Sequence, residues 1–358
     1  MGTDQGTPWD TEALAGEVSQ GADEAERLPT RVARYSTAKY RANRMVEYLA
    51  SLPADADDFD QARRAWAKLK ECGNYLHFHL YYTVGKVRLA AACFCKQHLI
   101  CPLCAIRRGA KTLQAYLDRY AVIRADHPEL SPFLITFTVR NGDDLAERFG
   151  HLQGSFKALQ NRRRGWLKQG RGFSYTEFAK IQGAVGTYET TNKGKGWHPH
   201  IHMVALAASE PSQAALKAEW EGITGDSFMV DVRPFKTGQD PAEGFMEVMK
   251  YAVKFGELSL PDNWHAAKLF AGKRLLFSFG LFRGVKVPEA MTDEPLEDLP
   301  YIDLFYRWMG AAGYSLTGES PDRELTTDST VTTNNHFQYY DPEPERAKSP
   351  KRATAKVT

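Results

Sequence analysis

The chain is predicted to fold as an α+β protein, with a central, largely antiparallel sheet flanked by helices and a helical, cysteine-bearing module in front of it. Three observations carry this prediction. Runs rich in β-branched and aromatic residues, such as Phe133–Val139, interleave with stretches whose apolar residues recur every three to four positions. Two further runs, Ala184–Thr191 and His200–Leu206, flank the polar, glycine-bearing segment 192–197, which reads as a hairpin loop. Four of the five cysteines fall between residues 93 and 104, a clustering that points to zinc rather than disulfides in a chain read as cytoplasmic.

With 358 residues, the chain is expected to form two units plus tails. Hydrophobic residues make up 43%, and no uninterrupted apolar run approaches the length of a membrane span. The acidic, polar N-terminus does not resemble a signal peptide, so the expectation is a soluble cytoplasmic protein with no membrane partner. The net charge is only +2, but residues 1–30 hold seven acidic residues against one Arg, and residues 151–200 hold nine basic against two acidic. That basic middle is the kind of local field that attracts phosphate backbones.

Taken in order, residues 1–35 are expected to be a disordered acidic tail and 36–125 a helical zinc-binding module. Within that module, Tyr40, Met45, Tyr48 and Leu49 set one helical stripe, and Ile106, Leu113, Tyr116, Leu117 and Tyr120 another. Residues 126–290 hold the sheet: strands at Phe133–Val139, Ala184–Thr191, His200–Leu206 and Phe228–Val232, with Arg274–Phe282 closing it and Gly280 as a turn or bulge. Helices are expected at 145–169 and at Pro241–Phe255, where Asp240 and Pro241 mark the start. A last helix is predicted over Tyr301–Ala312, within a C-terminal segment 291–316, and residues 317–358 read as a disordered tail.

The segment Trp197-His198-Pro199-His200-Ile201-His202-Met203 is the most informative. Strand alternation puts His200 and His202 on one face, about 7 Å apart along the strand, with Ile201 and Met203 on the other. If 192–197 closes a hairpin, Glu189 lies opposite His200, and two imidazoles with one carboxylate form a three-ligand site for a divalent metal, Mg or Mn. His198 is set apart because Pro199 is expected to interrupt the alternation. In the helix around Glu243–Phe255, Glu247, Tyr251 and Lys254 share a face. A tyrosine with a carboxylate and an ammonium one turn away on either side is suited to nucleophilic work.

Cys95, Cys101 and Cys104 end in a Cys-Pro-Leu-Cys knuckle of the type that closes a tetrahedral zinc site. Cys72, Cys93 and His98 are the candidates for the fourth ligand. Arg107, Arg108, Arg162, Arg163, Arg164, Lys193 and Lys195 are the candidate DNA contacts.

Together these segments resemble the HUH endonucleases, and among them the rolling-circle replication initiators (Rep proteins) of small plasmids. Phe133-Leu134-Ile135-Thr136-Phe137-Thr138 resembles the first motif, Pro199-His200-Ile201-His202 the metal motif and Tyr251-Ala252-Val253-Lys254 the nucleophile motif, in the family's order. Glu247, four residues before Tyr251, resembles the single-tyrosine branch. The resemblance spans about residues 72–284 and favours Cys72 as the fourth zinc ligand. It implies an HUH nicking domain acting on single-stranded or extruded plasmid origin DNA. Tyr251 would form a 5′-phosphotyrosine link and leave a 3′-hydroxyl primer, Lys254 would neutralise phosphate, and Glu247 would direct water in the terminating cleavage. A host helicase and polymerase are the implied further partners. An HUH-class transposase or relaxase, or a non-catalytic zinc-containing DNA-binding regulator, are the alternative readings.

Overall fold

The computed structural model describes residues 24–169, 174–236, 240–249, 258–285, 299 and 301–320. The N-terminal part opens with α1 (Glu24–Ser51) and α2 (Phe59–Leu69). Ala38, Ala42, Met45 and Leu49 of the first helix and Ala62, Ala65 and Leu69 of the second are buried in one core. Alanines at helical spacing let the two axes approach closely at little cost in side-chain entropy. A hairpin follows, β1 (Tyr75–Tyr81) and β2 (Lys86–Ala92), and then the long helix α3 (Pro102–Asp126).

The second part holds β3 (Ser131–Thr138), α4 (Leu145–Gln169), β4 (Gly183–Asn192), β5 (Trp197–Ala207), α5 (Gln213–Thr224) and β6 (Val230–Pro234). It continues through α6 (Pro241–Met249), α7 (Leu260–Phe270) and β7 (Leu276–Gly280). Its five strands run in the order β6-β3-β5-β4-β7, every neighbour antiparallel. Helices α5 and α7, absent from the sequence expectation, carry plain start signals: Ser212 Oγ accepts from the Ala215 amide, and Ser259 Oγ from the Asp262 amide. Gly225, in the left-handed region, ends α5.

Both faces of this sheet are covered. Phe137, Ile201 and Met203 pack with Phe149, Phe156 and Trp220 of α4 and α5. Val185, Val204 and Leu206 pack on the other face with Leu113 and Tyr116 of α3 and Phe245 and Val248 of α6. Burial on both sides explains why β5 reads as a nearly unbroken apolar run after His202.

Two expectations are corrected. The predicted C-terminal helix over 301–312 is instead β8 (Ile302–Trp308) and β9 (Tyr314–Glu319), which complete a second antiparallel sheet in the order β2-β1-β8-β9. Ile302, Leu304, Tyr306 and Trp308 alternate with Asp303, Phe305 and Arg307, a period of two. Pairing with β1, from Tyr75↔Arg307 to Leu80↔Ile302, satisfies a ladder that no local helix offers. The N-terminal module is accordingly not all helical, and α1 begins at Glu24, inside the segment assigned to the tail.

Gly280, expected at a turn or bulge, has φ +60, and a Cβ there would sit 1.9 Å from the Gln182 carbonyl oxygen. Gly280→Ala is expected to lower stability by about 2 kcal/mol or more, through both the left-handed backbone and the clash. Urea denaturation measures this directly, and an unchanged midpoint would contradict it.

Candidate metal centre

The β4–β5 hairpin is in the register that places Glu189 opposite His200 and Thr187 opposite His202. On the other side of β5, Thr138 faces His200 and Thr136 faces His202. One ligand atom each from Glu189, His200 and His202 lies within 4.8 Å of the others. Glu189 Oε2 stands 3.4 Å from His200 Nε2 and 3.9 Å from His202 Nε2.

Each side chain is held from behind. His200 Nδ1 is 3.1 Å from the His198 carbonyl; a carbonyl only accepts, so this nitrogen donates and Nε2 is the one that faces Glu189. His202 Nδ1 meets Thr136 Oγ1 at 2.9 Å. Thr187 Oγ1 lies 3.3 Å from Glu189 Oε1 and donates to the Val248 carbonyl at 2.6 Å, tying the end of α6 to the strand beside the triad.

Glu189 is fully buried and His200 is 5% exposed. A buried carboxylate is costly without a positive charge beside it, and a cation between it and the two ring nitrogens would supply one. The separations of 3.4 and 3.9 Å suit ligands on one ion at bond lengths of about 2.1 Å. The donor set therefore fits a divalent cation.

Pro199 does not interrupt β5, contrary to expectation: the pairing runs unbroken through Thr190↔Pro199 and Thr191↔His198. His198 is set apart by a different contact, its Nδ1 lying 2.6 Å from Asn141 Oδ1. Glu247 sits partly buried on α6, while Tyr251 and Lys254 lie outside the described residues. Lys193 and Lys195 are exposed in the β4–β5 loop, beyond strand ends that lie about 10 Å along the strands from Glu189 and His200 by strand rise. Arg107 and Arg108 are exposed on the first turns of α3, and Arg107 stacks over the Phe94 ring at 4.1 Å. Arg162 and Arg164 are exposed, but Arg163 turns inward: its guanidinium donates twice to the Ile181 carbonyl, at 2.9 and 2.7 Å, and covers the Phe279 ring.

The cysteine cluster converges as well. The sulfurs of Cys72, Cys95, Cys101 and Cys104 all lie within 4.8 Å of one another, whereas Cys93 is exposed and apart. Cys72 approaches Cys101 at 3.5 Å and Cys104 at 3.7 Å, and Cys95 approaches Cys104 at 3.6 Å. Cys101 caps α3, whose first turn carries Pro102 and Cys104, so the positive end of the helix dipole meets the sulfurs. Burial pushes the Cys101 thiol well above its ordinary range, which disfavours a thiolate there unless a cation is bound. Two supports escape sequence reading because they come from distant segments. Buried Lys39 on α1 donates to the Cys72 carbonyl at 2.6 Å and to Asn74 Oδ1 at 3.0 Å, and Tyr314 of β9 donates to the Gly73 carbonyl.

The replication-protein family profile matches residues 86–303, more than half of the chain. A "Protein rep" of Bacillus amyloliquefaciens is 26% identical over 204 residues, covering 55% of each chain. Another, from a Bacillus species, is 27% identical over 198 residues, covering 53% of this chain and 59% of its own. A third, from Streptomyces lividans, is 29% identical over 165 residues, 36% of each. The matched region thus spans about half the length of the first two relatives. No solved structure gives a significant match. Among the described residues no helix is long and apolar enough to cross a membrane. A triad and a cysteine cluster each arranged to hold a cation thus lie in an α+β chain that belongs to the replication-protein (Rep) family.

Proposed function

We propose that the chain is a plasmid rolling-circle replication initiator that nicks one strand of its origin through an HUH-type site. The observation that carries this reading is the convergence of Glu189, His200 and His202 on one buried point of the sheet, with α6 tied beside it at Thr187. Those three residues would hold Mg or Mn, which when bound polarises the scissile phosphate.

The chain's own groups do the rest. The phenol oxygen of Tyr251 attacks phosphorus and gives its proton to water, the bond to the 3′ oxygen breaks, and that oxygen takes up a proton from water and leaves as a 3′-hydroxyl. The product is a 5′-phosphotyrosine link and a primer end. Lys254 neutralises phosphate charge, and Glu247 directs water when replication ends. Lys193 and Lys195 at the loop tip, with Arg107, Arg108, Arg162 and Arg164, contact the DNA backbone. Arg163 is left out because its donors are committed to the Ile181 carbonyl. Zinc on Cys72, Cys95, Cys101 and Cys104 braces the N-terminal helices. The site of action is the cytoplasm, with host helicase and polymerase acting on the nicked product.

Supercoiled plasmid carrying the cognate origin, incubated with the chain and Mn or Mg, should convert to open circles with protein attached to the 5′ end. Binding without cleavage under all metal conditions would reject the reading in favour of a regulator. Glu189→Gln should weaken Mn binding on the order of 100-fold, since it removes the carboxylate charge shared by both rings. Calorimetric titration measures this, and unchanged affinity would remove Glu189 from the ligand set.

A further inference from the structure

The four-stranded sheet carries a constellation that the proposed chemistry does not use. His77 and His79 lie two residues apart on β1 and therefore on one face, and Asp303 of β8 pairs directly with His79. This is the plan of the other sheet, where Glu189 faces His200 and His202 is two residues further. Here too a ligand atom from each of the three residues lies within 4.8 Å of the others.

Both ring nitrogens aim at one oxygen: His77 Nε2 is 2.7 Å and His79 Nε2 is 3.3 Å from Asp303 Oδ1. Ser320 Oγ holds the other carboxylate oxygen, Oδ2, at 3.0 Å. The rings are locked by stacking, His77 on Phe305 with centroids 4.3 Å apart and His79 on Tyr301 at 4.0 Å. Side-chain exposures of 11% for His77 and Asp303 and 22% for His79 give an ion a route in. Bonds of about 2.1 Å to one tetrahedral ion place ligand atoms roughly 3.4 Å apart, so small ring and carboxylate shifts suffice.

We propose that His77, His79 and Asp303 form a further divalent-cation site, suited to zinc and its first-row neighbours rather than to Mg. Two imidazoles and one carboxylate are a borderline-soft donor set. Binding puts the metal between each Nε2 and Asp303, the displaced ring protons moving to Nδ1 or to water, and leaves a coordination position open to water. The ion staples β8, near the C-terminal end of the described chain, to β1 beside the cysteine module. His77 and His79 lie outside the residues matched by the family profile.

Equilibrium dialysis of the full chain against micromolar zinc, with metal counted by elemental analysis, tests this. If the triad at Glu189 also takes zinc, the unmutated chain holds three ions, and His79→Gln and the His200→Ala/His202→Ala double variant hold two each. Combining the changes leaves one. If that triad takes none, the double variant matches the unmutated chain at two and His79→Gln still loses one, so the two sites fail separately. A zinc count unaffected by His79→Gln in a folded protein overturns the proposal. Should His79→Gln not fold, the double variant decides: one zinc beyond any released by mercurial titration of its thiols supports the further site, and none rules it out.

Discussion

Tyr251→Phe is expected to leave origin binding within about twofold and to lower strand cleavage by a factor on the order of 1,000 or more, with no covalent adduct on a labelled oligonucleotide. The substitution removes only the attacking oxygen, so binding through backbone contacts persists while the bond-forming step has no nucleophile. Tyr251 follows Val248 by three residues, and Val248 is where α6 is fixed: its carbonyl accepts from Thr187, two residues from Glu189 on β4. Phe245 and Val248 are fully buried against the same face of the sheet. The helix that leads to Tyr251 is therefore anchored, at Val248, to the strand that carries Glu189. A Phe variant that still yields a labelled protein–DNA adduct would falsify the assignment of Tyr251.

If the cysteine cluster holds zinc as proposed, losing that ion should have the largest effect on stability. Structural zinc sites contribute on the order of 10 kcal/mol of apparent folding energy, and the cluster joins the end of α2, the start of α3 and the chain after β2. Cys101→Ser replaces a fully buried member of the cluster and is expected to abolish zinc retention and to melt the N-terminal module well below the rest. Cys93→Ser, at an exposed position outside the cluster, should change neither zinc content nor melting temperature. Zinc released on mercurial titration of the thiols, together with thermal unfolding of both variants, separates the cases. Equal zinc content in Cys101→Ser and the unmutated chain would remove the site.

Lys39 is a subtler element of that module. The residue is 1% exposed and burial lowers its pKa, yet its ammonium lies against the Cys72 carbonyl. With zinc bound as proposed, an ammonium there would offset the negative charge of four thiolates around one divalent ion.

The sequence by itself determined the local geometry of the triad. The alternation of β5 and the length of the loop after β4 were enough to place Glu189 opposite His200, because strand period and hairpin register are local rules. The Cys-Pro-Leu-Cys knuckle likewise announced part of the sulfur cluster, since Cys101 and Cys104 share one turn. Only the tertiary structure decided the rest. The segment 302–308 carries Leu304 and Trp308 at helical spacing as well as an alternating pattern, and pairing with β1 settled it as a strand. Arg163 reads as one of three equal basic residues, and only the fold shows that it closes on Ile181 while its neighbours stay exposed. Asp303 lies more than two hundred residues from His77 and His79, so no spacing rule joins them. Long-range strand pairing is a property of the assembled sheet, where hydrogen-bond satisfaction and burial are decided together.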